Sequence, residues 1–334
     1  MTIRTIPRLL APLAAALLAI ALLGACGSSN NDKSSSSTSS SSGSGSSATS
    51  AALIQKNAAN AKTTLTIGSK NFTEQKVLGE IYAQALGAAG YKVRRQLNLG
   101  DQDIALKALK SGQISGYPEY TGTALLAFLN VAAGKLPHDP QQAYQQVKDG
   151  LAKQGIDALP PTPFTSSNEV GVTKQTADKL ALKNISDLSS KAKTLTLYGS
   201  PECRTRADCL LGLQQVYGLK FKKFVPVNID QRHEVLKSGQ ADVSIVFTTD
   251  PQIKRNGEVL LQDDKGMFPP YNSTLIMKDA TAQKAGADLA KTIDALQKPL
   301  TDDAMQELDA RVDLDKKDPS EVAKEYLSET GLVK

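Results

Sequence analysis

A pentapeptide that occurs twice constrains this chain most. Leu109-Lys110-Ser111-Gly112-Gln113 returns as Leu236-Lys237-Ser238-Gly239-Gln240. Eight residues past each glycine stands an aromatic residue followed by threonine, Tyr120-Thr121 in the first copy and Phe247-Thr248 in the second. The same order of elements surrounds both copies. In the first, the spacing predicts a strand over Leu65–Gly68, a helix over Thr73–Ala89 stopped by Gly90, a strand over Lys92–Leu97 and a helix capped by Asp101 and ended by Gly112. A further strand runs into Tyr117-Pro118. In the second it predicts strands over Leu195–Tyr198, Phe221–Val227 and Asp242–Phe247, with helices over Asp208–Tyr217 and Gln231–Ser238. Such alternation implies an α/β fold with largely parallel sheets. Ligands of open α/β sheets sit beyond the carboxyl ends of the strands, so two similar lobes that present equivalent tips imply a cleft between them. Helices from Thr281 onward, separated by Pro299 and Pro319, are expected to pack on the first lobe.

The N-terminal segment suggests a compartment. Arg4 and Arg8 precede a 15-residue apolar run, Leu9–Leu23, which suits a signal peptide better than a membrane span. The run ends Leu23-Gly24-Ala25-Cys26, the pattern of a bacterial lipobox in which the cysteine becomes lipidated. Residues 28–50 contain 14 serines, a composition that cannot bury a core. The expected organisation is therefore a lipoprotein signal peptide over 1–25 and a lipidated Cys26 with a disordered tether over 26–62. Lobe I follows over 63–166 and 264–334, with lobe II over 167–263. The protein would be lipid-anchored on the extracytoplasmic face of the membrane, and monomeric. With Cys26 lipidated, Cys203 and Cys209 form an even pair, which in an exported chain is read as a disulfide.

Composition narrows the chemistry. Two histidines exclude a His-rich metal or acid–base centre, and three cysteines exclude a four-cysteine zinc site. A net charge of +5, without a Lys/Arg run, gives no support to nucleic-acid binding. No Ser/His/Asp spacing, nucleophile elbow or phosphate loop is present, so neither an enzyme nor a cofactor is expected. Only seven Phe, nine Tyr and no Trp are available for a binding surface. Four segments stand at strand ends or in stiff turns. Gly68–Gln75 opens a helix and carries Lys70 and Asn71, suited to an anion. Tyr117–Thr123 offers the Tyr120 ring and the Thr123 hydroxyl. Cys203–Cys209 holds Arg206, whose guanidinium can grip a carboxylate with two hydrogen bonds. Phe268-Pro269-Pro270-Tyr271-Asn272 delivers Tyr271 from a restricted backbone. His138 and His233 are given structural roles only.

At these motifs the chain resembles the osmoprotectant-binding lipoproteins of ABC importers, the glycine betaine, choline and carnitine binding proteins with an OpuAC-type, ProX-like domain. GSKNFTEQ at 68–75, YPEYTGT at 117–123, PEC-x-TRADC-x-x-GL at 201–213, FTTDP at 247–251 and DDK-x-x-FPPYN at 263–272 carry the resemblance. It implies a type II periplasmic-binding-protein fold of two Rossmann-like lobes that close on a small ligand about a hinge and deliver it to permease subunits. By motif, Lys70, Thr123 and Arg206 fall at carboxylate-holding positions, and Tyr120, Phe247 and Tyr271 at positions of an aromatic cage for a quaternary ammonium. The family's ring in the first hinge strand has no counterpart in Ser167–Gly171, where Asn168 or Glu169 would stand near the ligand, with Thr248 beside Phe247. The alternative ligand is an amino acid or other small zwitterion or cation lacking a trimethylammonium group. Substituting Tyr120 or Tyr271 by alanine is expected to weaken binding about tenfold with the fold intact.

Overall fold

The structure, a computed structural model, describes residues 53–132 and 135–334. The expected signal peptide, Cys26 and the serine-rich tract lie outside the described residues. Among the described residues ten strands form two sheets: β1 Thr64–Gly68, β2 Lys92–Gln96, β3 Gly116–Tyr120, β4 Ile156–Thr165, β5 Asn168–Thr173, β6 Thr196–Gly199, β7 Lys223–Pro226, β8 Val243–Phe247, β9 Glu258–Leu261 and β10 Asn272–Lys278. Their orders are β2-β1-β3-β10-β4 and β7-β6-β8-β5-β9. In each sheet two pairings are parallel and two antiparallel, and they fall at equivalent places. The repeat seen in the sequence is therefore a repeat of topology.

The sheets are mixed where the alternation implied largely parallel ones. β5 and β10 are the strands that receive the chain from the other lobe. The chain leaves β4 at Thr165 and starts β5 at Asn168, then returns to start β10 at Asn272. Both enter at the cleft end, beside the carboxyl tips of β8 and β3, and must run back against them. Asn168 pairs with Phe247, and Ser273 with Tyr120.

The duplicated glycines have one physical role. Gly112 and Gly239 adopt φ of 81° and 73°, the left-handed conformation that ends a helix at little cost for glycine. The first helix is Gln102–Ser111, with the Asp101 carboxylate accepting the N–H groups of Asp103 and Ile104, both at 3.0 Å. The second is a single turn, Glu234–Lys237, preceded by a 3-10 turn at Ile229–Gln231, where a longer helix over 231–238 was expected. The helix expected over Asp208–Tyr217 is Leu210–Gln215. The Cys203–Cys209 disulfide, with Cα atoms 5.1 Å apart, closes a ring that leaves Arg206 and Asp208 outside the helix.

Helix Thr73–Ala88 packs against the C-terminal helices Ala287–Gln297, Asp302–Asp313 and Pro319–Glu329 in one apolar core that includes Leu78, Ile81, Tyr82, Ile293, Met305 and Tyr326. A fourth C-terminal helix, Asp279–Ala285, is set off by Gly286 at φ 78°. Two differences from the expected boundaries are clear. Met267 and Phe268 belong to the core of the second sheet, beyond the division expected after 263. Residues 54–62, assigned to a disordered tether, form an ordered strap on the first lobe. Ile54 N donates to Leu332 O at 2.8 Å, Asn57 N to Ala89 O at 3.1 Å, and the buried Asn60 side chain to Ala89 O at 2.9 Å. Among the described residues no helix is long and apolar enough to cross a membrane.

Candidate functional site

The strand tips of both sheets face one cleft, part of which opens to solvent. Lys70, Asn71, Tyr120, Thr123, Asn168, Arg206, Phe247 and Tyr271 all line it. So does Phe72, which lies within the GSKNFTEQ motif but is not among the expected site residues. The Phe72 ring centre lies 6.2 Å from that of Tyr120 and 5.3 Å from that of Phe247, bridging the two lobes. Phe72 ends the loop after β1 and stands at the N-terminus of helix Thr73–Ala88, 7% exposed. Four rings thus line the cleft where the motifs offered three.

Three of the four rings are tied to a polar group. Tyr120 donates its hydroxyl to Glu74 Oε1, and Glu74 Oε2 accepts from Thr249 across the lobes at 2.6 Å. Burial holds the Glu74 carboxyl above its usual range. Tyr271 donates its hydroxyl to Asp208. A Cβ on Gly122 would come within 2.5 Å of the Tyr271 ring, so only glycine admits that ring here. The Arg232 guanidinium lies 4.6 Å from the centre of the Phe247 ring.

The cations at the cleft are held from behind by buried carboxylates. Lys70 pairs with Glu119, which also accepts from the Tyr120 backbone N–H at 2.8 Å and the Tyr117 hydroxyl at 3.0 Å. The Lys70 ammonium lies 4.6 Å from the Tyr120 ring centre. Burial pushes its pKa down further than Glu119 raises it. Arg206 donates Nε to Asp208 Oδ1 at 2.8 Å and Nη2 to Oδ2, while Nη1 reaches Gln102 at 3.3 Å and Nη2 reaches Thr123 at 3.4 Å. Arg206 therefore joins the second lobe to the first. Asn168 donates to Asp208 Oδ2 at 3.0 Å. Asp208 is the hub of this wall, and its place between two cysteines was the only local signal for it.

Two expected site residues lie elsewhere. Glu169 neighbours Asn168 on β5, and successive strand residues face opposite sides. With Asn168 in the cleft, Glu169 points away and does not line it. Thr248 accepts from Ser167 N at 3.0 Å and donates to Thr165 O at 3.1 Å, clasping the first crossing between lobes rather than facing the cleft. Burial, with Asp263 nearby, raises the Glu169 pKa to about 8. A raised carboxyl pKa stabilises the fold fully below the ordinary value of 4.5, and that contribution is lost as pH rises through 8. Glu169→Gln is therefore expected to raise stability at pH 9 by a few kcal/mol and leave it nearly unchanged at pH 4, as read by urea denaturation.

Residues 63–329 match the family model described as the substrate binding domain of ABC-type glycine betaine transport systems. The chain belongs to the OpuAC family. Its similarity to a glycine-betaine-binding protein of Pseudomonas aeruginosa is 32% identity over 294 residues, covering 85% of this chain and 93% of that protein. It is 30% identical to the carnitine transport binding protein OpuCC of Listeria monocytogenes over 276 residues, 81% of this chain and 88% of that one. A solved structure of a glycine betaine/carnitine/choline ABC transporter protein superposes with a TM-score of 0.64 at 26% identity, over 79% of this chain and 98% of the other. The OpuAC fold, two α/β lobes of the type II periplasmic binding proteins, is the fold described above. OpuAC proteins are substrate-binding components of ABC transport systems, a class defined by transport.

Proposed function

We propose that this protein captures a small quaternary ammonium solute, such as glycine betaine or choline, between its lobes and delivers it to the permease of an ABC importer. The supporting observation is the convergence of Phe72, Tyr120, Phe247 and Tyr271 from four separated segments on one cleft. A trimethylammonium group has no N–H to donate, and ring faces are its best partners, at about 0.5–2 kcal/mol each when desolvated. Lys70, Thr123 and Arg206 supply donors for a carboxylate at the other end of a betaine. Arg206 bridges both lobes already, so a ligand carboxylate that engages it favours the closed arrangement, the state offered to the permease. Asn71 and Asn168 add to the polar lining.

A second reading is a zwitterion without a trimethyl group. The Lys70 ammonium over Tyr120 favours it, since that ring face already serves a cation of the protein. Calorimetric titration with glycine betaine, choline, carnitine and the common amino acids separates the two. Phe72→Leu keeps most of the apolar volume and removes the ring. It is expected to weaken glycine betaine about tenfold and an amino acid ligand little. Equal glycine betaine affinity in wild type and variant would remove Phe72 from the cage.

Cys26 is read as the lipid attachment point that holds the protein on the outer face of the membrane. Partition into detergent that Cys26→Ser abolishes is the corresponding result.

A further inference from the structure

Four buried charged side chains stand directly behind Phe247. Arg232 lines the cleft, stacks on the Phe247 ring at 4.6 Å, and donates Nε to Asp250 Oδ2 at 2.8 Å, Nη2 to Asp250 Oδ1, and Nη1 to Ile229 O at 2.6 Å. Asp250 Oδ2 also accepts the Phe247 backbone N–H at 2.7 Å. The ring face and the backbone of Phe247 are thus both fixed through Asp250. Behind Asp250 lies His233, 5% exposed. Its Nε2 is 2.8 Å from Asp250 Oδ2, and its Nδ1 is 2.7 Å from Glu258 Oε2. The other Glu258 oxygen accepts from Asn256 at 2.9 Å.

An ionised carboxylate only accepts hydrogen bonds. An imidazole with carboxylate oxygens at both ring nitrogens satisfies both only when each nitrogen carries a proton. In that state two cations face two anions and the buried cluster is neutral. A neutral ring would set a nitrogen lone pair against a carboxylate and leave the cluster with one uncompensated negative charge.

We propose that His233, held as an imidazolium between Asp250 and Glu258, is a positioning residue for the cleft. It fixes Asp250 and, through it, Arg232 and Phe247, so that loss of its proton loosens the Phe247 wall and weakens ligand capture. The effect on capture rests on the cleft being the ligand site, whereas the state of the ring does not.

Burial opposes the charge on His233, but Asp250 and Glu258 outweigh both burial and the Arg232 charge, and its pKa is raised above 6.5. A raised pKa means that the stabilisation is complete below 6.5 and is lost as pH rises through the higher folded value. Other charges reach the cluster from neighbouring elements. Asp230 and Asp313 act on Arg232, and Glu74 and Asp309 are coupled by charge to Asp250. Burial raises Glu74 and Asp309, and Lys70 in the cleft also titrates below its ordinary value. Variants must therefore separate His233 from these groups.

The test is a titration of the ligand-free full chain by histidine-ring nitrogen NMR. With only two histidines, His138 serves as the internal comparison. The expected result is a His233 ring protonated at both nitrogens at pH 6.5, with its midpoint above that value. The Phe247 ring and Arg232 Nε signals should move with its midpoint, and Glu258→Gln should shift that midpoint downward. Glycine betaine affinity should fall roughly three- to tenfold as pH rises through the midpoint, and His233→Gln should start weaker and lose that step. A neutral ring at pH 6.5, Phe247 and Arg232 signals that ignore the ring, or an unchanged alkaline step in His233→Gln would overturn the proposal. If glycine betaine bound at no pH, the ligand reading would fall, and the linked NMR shifts would still decide the role of His233.

Discussion

Asp208→Ala is expected to destabilise the protein by about 3–5 kcal/mol, because it leaves a buried guanidinium without its counter-charge. Asp208 is wholly buried, and Arg206 spends Nε and Nη2 on it. The same carboxylate accepts from Tyr271 and Asn168, so one substitution unties both lobes from the cleft wall. The check is a lower guanidinium denaturation midpoint with an unchanged slope. Asp208→Asn, which keeps an acceptor, should lie between wild type and alanine. The pH dependence has a definite sign. Burial alone would raise the Asp208 pKa, but the Arg206 charge and hydrogen bonds pull it below 3.8. Its contribution is fully present above 3.8 and is lost as pH falls through the lower folded value. The asparagine variant should therefore lose less stability on acidification. A wild-type midpoint in Asp208→Ala would show that Arg206 finds another counter-charge.

Tyr271→Ala is the second large effect. Tyr271 is 2% exposed and belongs to the main core, its ring lies against the Gly122 backbone, and its N–H donates to Thr165 Oγ1 at 3.0 Å. Truncation of a buried ring of this size costs about 3–5 kcal/mol. This replaces the sequence-based expectation that alanine at Tyr120 or Tyr271 leaves the fold intact, since Tyr120 is also in that core at 4% exposure. Tyr271→Phe is the informative partner. It keeps the ring and deletes one donor to Asp208, at about 1 kcal/mol. Glycine betaine affinity should be near wild type in Tyr271→Phe and at least roughly tenfold weaker in Tyr271→Ala. Loss of binding in both would mean that the hydroxyl, and not the ring, serves the ligand.

What could be read from the sequence had local causes. Gly112 and Gly239 were legible as helix stops because a left-handed residue is a local requirement. Tyr120 and Phe247 followed by fixed spacing. The direction of β5 and β10 was not legible, because it depends on where the chain re-enters a sheet. Phe72 was hidden because an aromatic residue before a helix is locally indistinguishable from a packing residue. Glu169 was misplaced by one step, and on a strand one step reverses the face. Arg232, His233 and Asp250 could not be joined from spacing, since β8 lies between them and sets their approach.

The strap over residues 54–62 bears on mechanics. It grips the first lobe at Ala89 and Leu332, at the far end of the helix that begins beside Phe72, about 24 Å from the cleft by helix length. A pull on the N-terminus is therefore carried by the first lobe alone, away from the binding surfaces. The chain itself passes between the lobes beside the cleft, at 166–167 and between β9 and β10.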